Sequence, residues 1–96
     1  MKQHVFAVYD SKAEIFHNPI FFKAKGEALR SFADEVNREG SNMNKHPADY
    51  TMFLIGTYDV ELGHLESNST PVSMGLAHDF LEQDKPENLF KYQKEA

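Results

Sequence analysis

Aromatic and cationic side chains are concentrated between residues 12 and 30 of this 96-residue chain. Single-stranded nucleic acid is typically bound by rings that stack on bases and by cations that follow the phosphates, without base readout. Because strand residues alternate between two faces, we expect one of the adjacent Phe21 and Phe22 to enter the core and the other to stay free for stacking. With one cation from a later loop, the predicted binding residues are Lys12, Phe21, Phe22, Lys23, Lys25, Arg30 and Lys45.

A purely structural role is the alternative for the same residues. One phenylalanine then fills the core while the lysines solvate its rim, and Lys45 belongs to a loop in which Pro47 restricts the backbone and Asp49 bonds back to it.

The charge balance opposes a general nucleic-acid binder. The net charge is −5, whereas proteins that bind DNA through its phosphates are usually basic. Residues 1–46 hold seven Lys or Arg against six Asp or Glu, and residues 47–96 hold three against nine. Any DNA surface is therefore expected in the first half, and the total charge predicts weak binding at physiological salt.

The histidines form no recognisable catalytic or metal-binding pattern. Two groups could be drawn as a metal site or an acid–base pair: His46 with Asp49 and His64, and His78 with Asp79. Ser73 with His78 could be drawn as part of a nucleophilic triad. However, no HxxxH or HxxEH spacing occurs, cysteine is absent, and no nucleophile-elbow sequence surrounds Ser73. We therefore expect no catalytic residue, no metal, no cofactor and no enzyme activity.

Length and composition indicate one small domain. A chain of 96 residues has room for a single core, and 41% apolar residues are enough to build it. No apolar run approaches the roughly 20 residues of a membrane span, and the start lacks a signal-peptide core. We expect a domain over residues 1–82, a loose polar tail over residues 83–96, and a location in reducing cytoplasm without membrane contact.

The periodicity of the first half predicts strands and one helix. Residues 4–9 are apolar and β-prone, and residues 15–22 form a second extended segment that Asn18-Pro19 confines to an edge. Residues 26–38 predict the main helix, with an apolar stripe centred on Phe32 and Gly40 as its stop.

The second half predicts a hairpin and a short helix. Residues 41–49 are a polar loop, residues 50–58 the strongest strand, and residues 64–67 its partner after a turn at Gly63. Residues 68–71 are expected to break the chain before a short helix over residues 75–83. The expected fold is α+β: a small antiparallel sheet of three or four strands packed on one main helix, with a short C-terminal helix and a loose tail.

Both faces of the predicted sheet are apolar, although one helix can cover only one of them. In residues 50–58, we expect Tyr50, Met52, Leu54 and Tyr58 on one face and Phe53 and Ile55 on the other. The second face needs either another subunit or the fold-back of residues 71–92. We predict a homo-oligomer.

Short blocks of sequence follow one another in a fixed order between residues 8 and 75. They are VYDSKAE (8–14), FF (21–22), KGEALRSF (25–32), VN (36–37), KHPADY (45–50), then Phe53, Gly56, YD (58–59) and PVSMG (71–75).

Taken together, these blocks resemble the small nonstructural protein of gokushoviruses, tailless single-stranded DNA phages of the microvirus family. The resemblance implies a DNA-binding protein that acts in host cytoplasm during genome synthesis or packaging. An interaction module that binds a host replication factor or the procapsid is the alternative, and the negative charge favours it. A third possibility is an acidic protein that mimics DNA, in which Asp59, Glu61 and Glu66 are the candidate carboxylates.

Overall fold

The computed structural model describes residues 1–82, and its centre is the N-terminal strand β1 (Lys2–Asp10). Residues 5–8 are buried in succession, because β1 has neighbours along both edges. The short strands β2 (Ile15–Phe16) and β3 (Ile20–Phe22) share one edge, and β4 (Tyr50–Asp59) pairs along the other. Beyond β4 lies β5 (His64–Leu76), and all pairings are antiparallel.

The edge position predicted for residues 15–22 is confirmed. Asn18 and Pro19 fall between β2 and β3, so that the proline, which lacks an N–H, interrupts an outer strand and no central ladder.

The main helix, α1 (Lys25–Val36), covers one face of the sheet. Ala28, Phe32 and Val36 are buried at four-residue spacing and pack against a cluster that includes Phe6 and Met52. The remaining cluster members come from the same strands and from the segments on the same side of the sheet: Val8, Tyr50 and Ala77.

The helix ends earlier than the sequence pattern suggests. Asn37 caps it, and its backbone N–H donates to the Ala33 carbonyl at 3.0 Å. Arg38 lies beyond the end: its N–H donates to the Glu35 carbonyl at 3.2 Å, and its side chain is ion-paired with the Glu35 carboxylate at 2.7 Å. Gly40 adopts φ +85° in the turn that follows, a conformation that suits glycine.

The segment predicted as a polar loop, residues 41–49, contains helical structure that the sequence pattern did not predict. This segment forms the short helix α2 (Asn42–Lys45) and a 3₁₀ turn (Pro47–Asp49). The Ser41 hydroxyl accepts a hydrogen bond from the Asn44 N–H at 3.0 Å and donates to the Glu35 carbonyl at 2.8 Å. One buried side chain therefore starts α2 and fastens it to α1.

The predicted break at residues 68–71 is a bulge within β5, and the strand continues to Leu76. Ser67 pairs with Gly56 and Val72 with Leu54, so residues 68–71 stand opposite Ile55 alone. The side-chain amide of Asn68 donates to the Leu54 carbonyl at 3.1 Å, where the regular ladder is interrupted. Turn-forming residues and a proline are tolerated there because a bulge leaves residues outside the ladder.

The helix predicted over residues 75–83 is a single 3₁₀ turn, Ala77–Phe80. Gly75 and Leu76 still belong to β5, and the Phe80 ring packs edge-to-face on Phe32 with centroids 5.3 Å apart. The predicted tail, residues 83–96, lies outside the described residues, so the domain boundary stays a prediction.

A second bulge changes which residues share a face of β4. Leu54 pairs with Phe6, and Gly56 pairs with Val5, so Ile55 is an extra residue relative to β1. Tyr58 therefore does not share the face of Tyr50, Met52 and Leu54, as the simple alternation predicts.

We call the sheet face opposite α1 the open face. Ring contacts, strand register and the lining of one shallow pocket place the following large side chains on it: Val5, Tyr9, Phe16, Phe21, Phe53, Ile55, Tyr58 and Leu65. Within residues 1–82, α1, α2 and the Ala77–Phe80 turn supply the helical side chains of the cluster on the α1 side, and no helical side chain is among the open-face residues named above. No helix of this part of the chain is long and apolar enough to span a membrane.

Candidate nucleic-acid interface

The two adjacent phenylalanines of β3 point to opposite faces, as the alternation predicted. Phe22 pairs with His4 and packs its ring against Phe6 at 6.1 Å on the α1 side. Phe21 lies on the open face, 42% exposed, with its ring edge-to-face on Tyr58 at 5.6 Å. Phe22 is therefore a core residue, and Phe21 is the ring that a base can reach.

Three of the predicted cations follow Phe21 closely in the chain. Lys23 lies between β3 and α1, Lys25 opens α1, and Arg30 follows about 7.5 Å further along the helix axis. All three are exposed, and none forms an ion pair with another residue in the described part of the chain. We call Phe21, Lys23, Lys25 and Arg30 the β3–α1 corner.

The start of α1 adds hydrogen-bond donors to this corner. Its N-cap is Ala24, in extended conformation at φ −129° and ψ 144°, and no side chain caps the helix. The first N–H groups of a helix lack partners within the helix and are suited to bind a phosphate oxygen. Glu27 in the first turn opposes this effect with its own negative charge.

The other two predicted cations lie at the opposite end of β1. Lys12 is in the β1–β2 turn, which the Asp10 carboxylate holds by accepting the N–H groups of Lys12 and Ala13. That turn touches the segment after Lys45, since the Ser11 N–H donates to the Asp49 carbonyl at 2.9 Å. Between Asp10 and the residues paired with β3, Phe6 to His4, lie about 13–20 Å of strand. The seven predicted residues therefore do not form one site.

The open face carries an aromatic cluster that the sequence-based site left out. Phe16 stacks obliquely on Tyr9 at 4.8 Å and meets Phe53 edge-on at 5.7 Å. These rings come from three strands, so only the pairing register brings them together. The apolar residues at 9, 16 and 53 were visible in the sequence, but their shared face was not.

A shallow apolar pocket lies on the open face, beside Phe21. Most of its lining is apolar, and one charged residue also contributes; the lining residues are Val5, Pro19, Phe21, Ile55, Gly56, Leu65, Glu66 and Ser67. It contains no cluster suited to metal or acid–base chemistry. Within residues 1–82, no group of three or more His, Asp or Glu side chains is placed to hold a metal ion.

Two carboxylates have lowered pKa values, and both stabilise local structure away from the corner. A hydrogen bond from Arg38 lowers the pKa of Glu35 at the end of α1. The backbone N–H groups of Glu61 and Leu62 lower the pKa of Asp59, which they hold in the β4–β5 turn.

Comparison with known protein families matches residues 3–80 to the family described as Phage ORF5 protein. The match includes every strand and helix described above except for Lys2 at the start of β1. No curated protein matches the chain, and no solved structure does.

Proposed function

Since the chain belongs to the Phage ORF5 protein family, we propose that it is a nonstructural phage protein that binds single-stranded DNA without sequence specificity. The phage is a gokushovirus, and the protein serves genome synthesis or packaging in the host cytoplasm. It works by binding and not as an enzyme.

The observation that carries this proposal is the β3–α1 corner. Within residues 1–82, an exposed ring and three exposed cations without an ion-pair partner precede or follow a helix start that has no side-chain cap. This combination matches what a single strand offers, namely an unpaired base with a free face and a phosphate on either side of it.

In the proposed complex, Phe21 stacks on a base while Lys23 and Lys25 neutralise the adjoining phosphates. Arg30 contacts the backbone further along the strand. Each stacked base contributes about 1–3 kcal/mol, and that contribution does not depend on base identity. The affinity is modest because the whole chain is acidic. It decreases with salt because each phosphate contact releases counterions when it forms.

The test is fluorescence anisotropy of a labelled single strand of about 30 nucleotides and of its duplex. We expect the double variant Lys23→Glu/Lys25→Glu to lose at least about tenfold in affinity for the single strand. Its salt slope should fall by about 1.4, the value for two lost phosphate contacts on a single strand.

The matched control is Lys12→Glu/Lys45→Glu, which changes the net charge equally at the other end of β1. A similar loss in both double variants would mean that only the net charge matters, and would contradict a site at the corner. Phe21→Ala and Phe16→Ala form a second pair, since the two rings are 42% and 46% exposed but only Phe21 adjoins the cations.

A protein-interaction module is the second candidate function. The negative net charge and the uncovered open face favour it, and its partner would be a host replication factor or the viral procapsid. An interaction module without a DNA site should show no salt-dependent binding to the labelled strand.

A further inference from the structure

The open face carries no charged side chain at any of its paired strand positions. The register places Gln3, Val5, Ala7 and Tyr9 of β1 on this side. Their partners and neighbours on the same side are also uncharged: Phe16, Phe21, Thr51, Phe53, Gly56, Tyr58, Leu65, Ser67 and Ser73. In a chain of net charge −5, such a face is suited to another neutral surface and poorly suited to phosphates.

Large side chains on this face remain in contact with solvent. Phe16 is 46% and Leu65 59% exposed, at opposite ends of the sheet, with the apolar pocket beside Leu65. Contiguous exposed apolar surface of this kind is typical of an interaction site.

We propose that a second copy of this chain covers the open face, in a two-fold dimer whose sheets pack face to face. The area of the open face is large enough for a specific interface. Four strands about 4.8 Å apart and about 33 Å long give a face of roughly 600 Å². Two copies then bury about 1,200 Å², the lower end of the range for specific interfaces.

A second copy fits this face better than other occupants for three reasons. Only ten apolar residues of the described chain are buried, so a single copy has a small core and gains from a partner. A neutral face does not repel its own copy, although both chains are acidic. A two-fold pairing also uses the same face on both copies, and association therefore stops at two.

The free edge of β5 is a poor alternative route to association. The bulge at residues 68–71 and Pro71 interrupt its ladder, and such features discourage the pairing of strands edge to edge. The interface is therefore the face of the sheet and not the edge of β5.

This dimer does not depend on the proposed DNA site. The cations of the β3–α1 corner lie after β3 and on α1, whereas the interface is the opposite side of the sheet. Phe21 belongs to both surfaces, since it precedes the cations in the chain and lines the open-face pocket together with Leu65, so the test leaves it unchanged.

The test compares substitutions on the two faces of one strand, by sedimentation equilibrium of the full chain between about 1 and 100 µM. Leu65 lies on the open face, and Val72, 50% exposed, pairs with Leu54 on the other side. We expect a wild-type dimer, an at least 30-fold weaker dimer for Leu65→Arg, and unchanged association for Val72→Arg.

A second pair of substitutions keeps the test valid if a variant of the first pair does not fold. Phe16→Arg on the open face should also dissociate the dimer, whereas Ile20→Arg, which pairs with Phe6 on the α1 side, should not. Circular dichroism of each variant establishes that it is folded.

Three results would overturn the proposal. They are a wild-type monomer at 100 µM, equal association of Leu65→Arg and Val72→Arg, and equal association of the Phe16→Arg and Ile20→Arg variants. A wild-type monomer that loses DNA binding with Leu65→Arg would assign the open face to DNA instead.

Discussion

Gly56 sits where two strands approach too closely for any side chain. A Cβ built on this residue would overlap the backbone carbonyl oxygen of Glu66, and neither backbone is free to move without breaking the β4–β5 ladder. We expect Gly56→Ala to lower the free energy of unfolding by about 1–3 kcal/mol, measured by urea denaturation.

Gly26 provides the matched control for this substitution. It lies in the first turn of α1 with nothing within 4 Å of a built Cβ. Gly26→Ala should stabilise the protein by about 0.4–1 kcal/mol, because alanine reduces the freedom of the unfolded chain. Equal effects of the two substitutions would contradict the close approach at Gly56.

A single residue explains why the faces predicted for β4 were partly wrong. The alternation of apolar residues in β4 is regular as far as Leu54, and nothing in the residue types marks Ile55 as extra. That bulge moves Tyr58 to the other face and brings it to Phe21. Bulges arise from the fit between paired strands, and periodicity within one strand does not report them.

At the scale of elements, Asn37 connects the end of α1 to the last 3₁₀ turn. Its side-chain amide donates to the carbonyls of Ala33 at 2.8 Å and Phe80 at 2.9 Å, and its oxygen accepts the N–H of Glu82 at 2.9 Å. One side chain therefore holds the Phe80 segment against the helix.

We expect Asn37→Ala to cost about 1–3 kcal/mol of stability, since partly buried carbonyls lose their donors. Asn42→Ala, in the exposed first turn of α2, should change stability by less than about 0.5 kcal/mol. Urea midpoints at one fixed protein concentration compare the two variants, and an unchanged midpoint for Asn37→Ala would contradict the role of this amide.

Elements with strong periodicity were predicted well, and elements that depend on distant partners were not. The bounds of β1, α1 and β4 were predicted to within about two residues, because each of these elements has a clear pattern of apolar residues that become buried. The full length of β5 was missed, because Asn68 and Pro71 are read as a break unless the partner strand is known. The helix expected over residues 75–83 failed because Gly75 adopts φ +142° in β5, outside the helical region.

The same limit applies to the predicted DNA-binding residues: near neighbours in the chain were grouped correctly, and distant ones were not. The sequence predicted that Phe21 and Phe22 would diverge and that Lys23, Lys25 and Arg30 would stay together, since these residues are close in the chain. It could not show that Lys12 and Lys45 lie at the other end of β1, because that depends on how the strands pair.

At the scale of the whole molecule, salt separates the two proposed associations. Raising NaCl from about 50 to about 200 mM should weaken DNA binding about 20-fold if three phosphates are neutralised. The dissociation constant of the dimer should stay the same or decrease, because salt screens the repulsion between two chains of net charge −5.

Anisotropy titrations and sedimentation over the same salt series measure the two responses. A dimer that weakens in parallel with DNA binding would contradict the neutral interface. Salt-independent DNA binding would contradict the contacts at the β3–α1 corner.

The central position of β1 has a consequence for synthesis of the protein. β1 leaves the ribosome before its principal partner β4, which begins at Tyr50, 40 positions after β1 ends at Asp10. At about 5–20 residues per second, the nascent strand waits about 2–8 seconds for that partner. During this interval its buried residues, Val5 to Val8, have only two short edge strands and α1 to contact, so host chaperones have time to bind them.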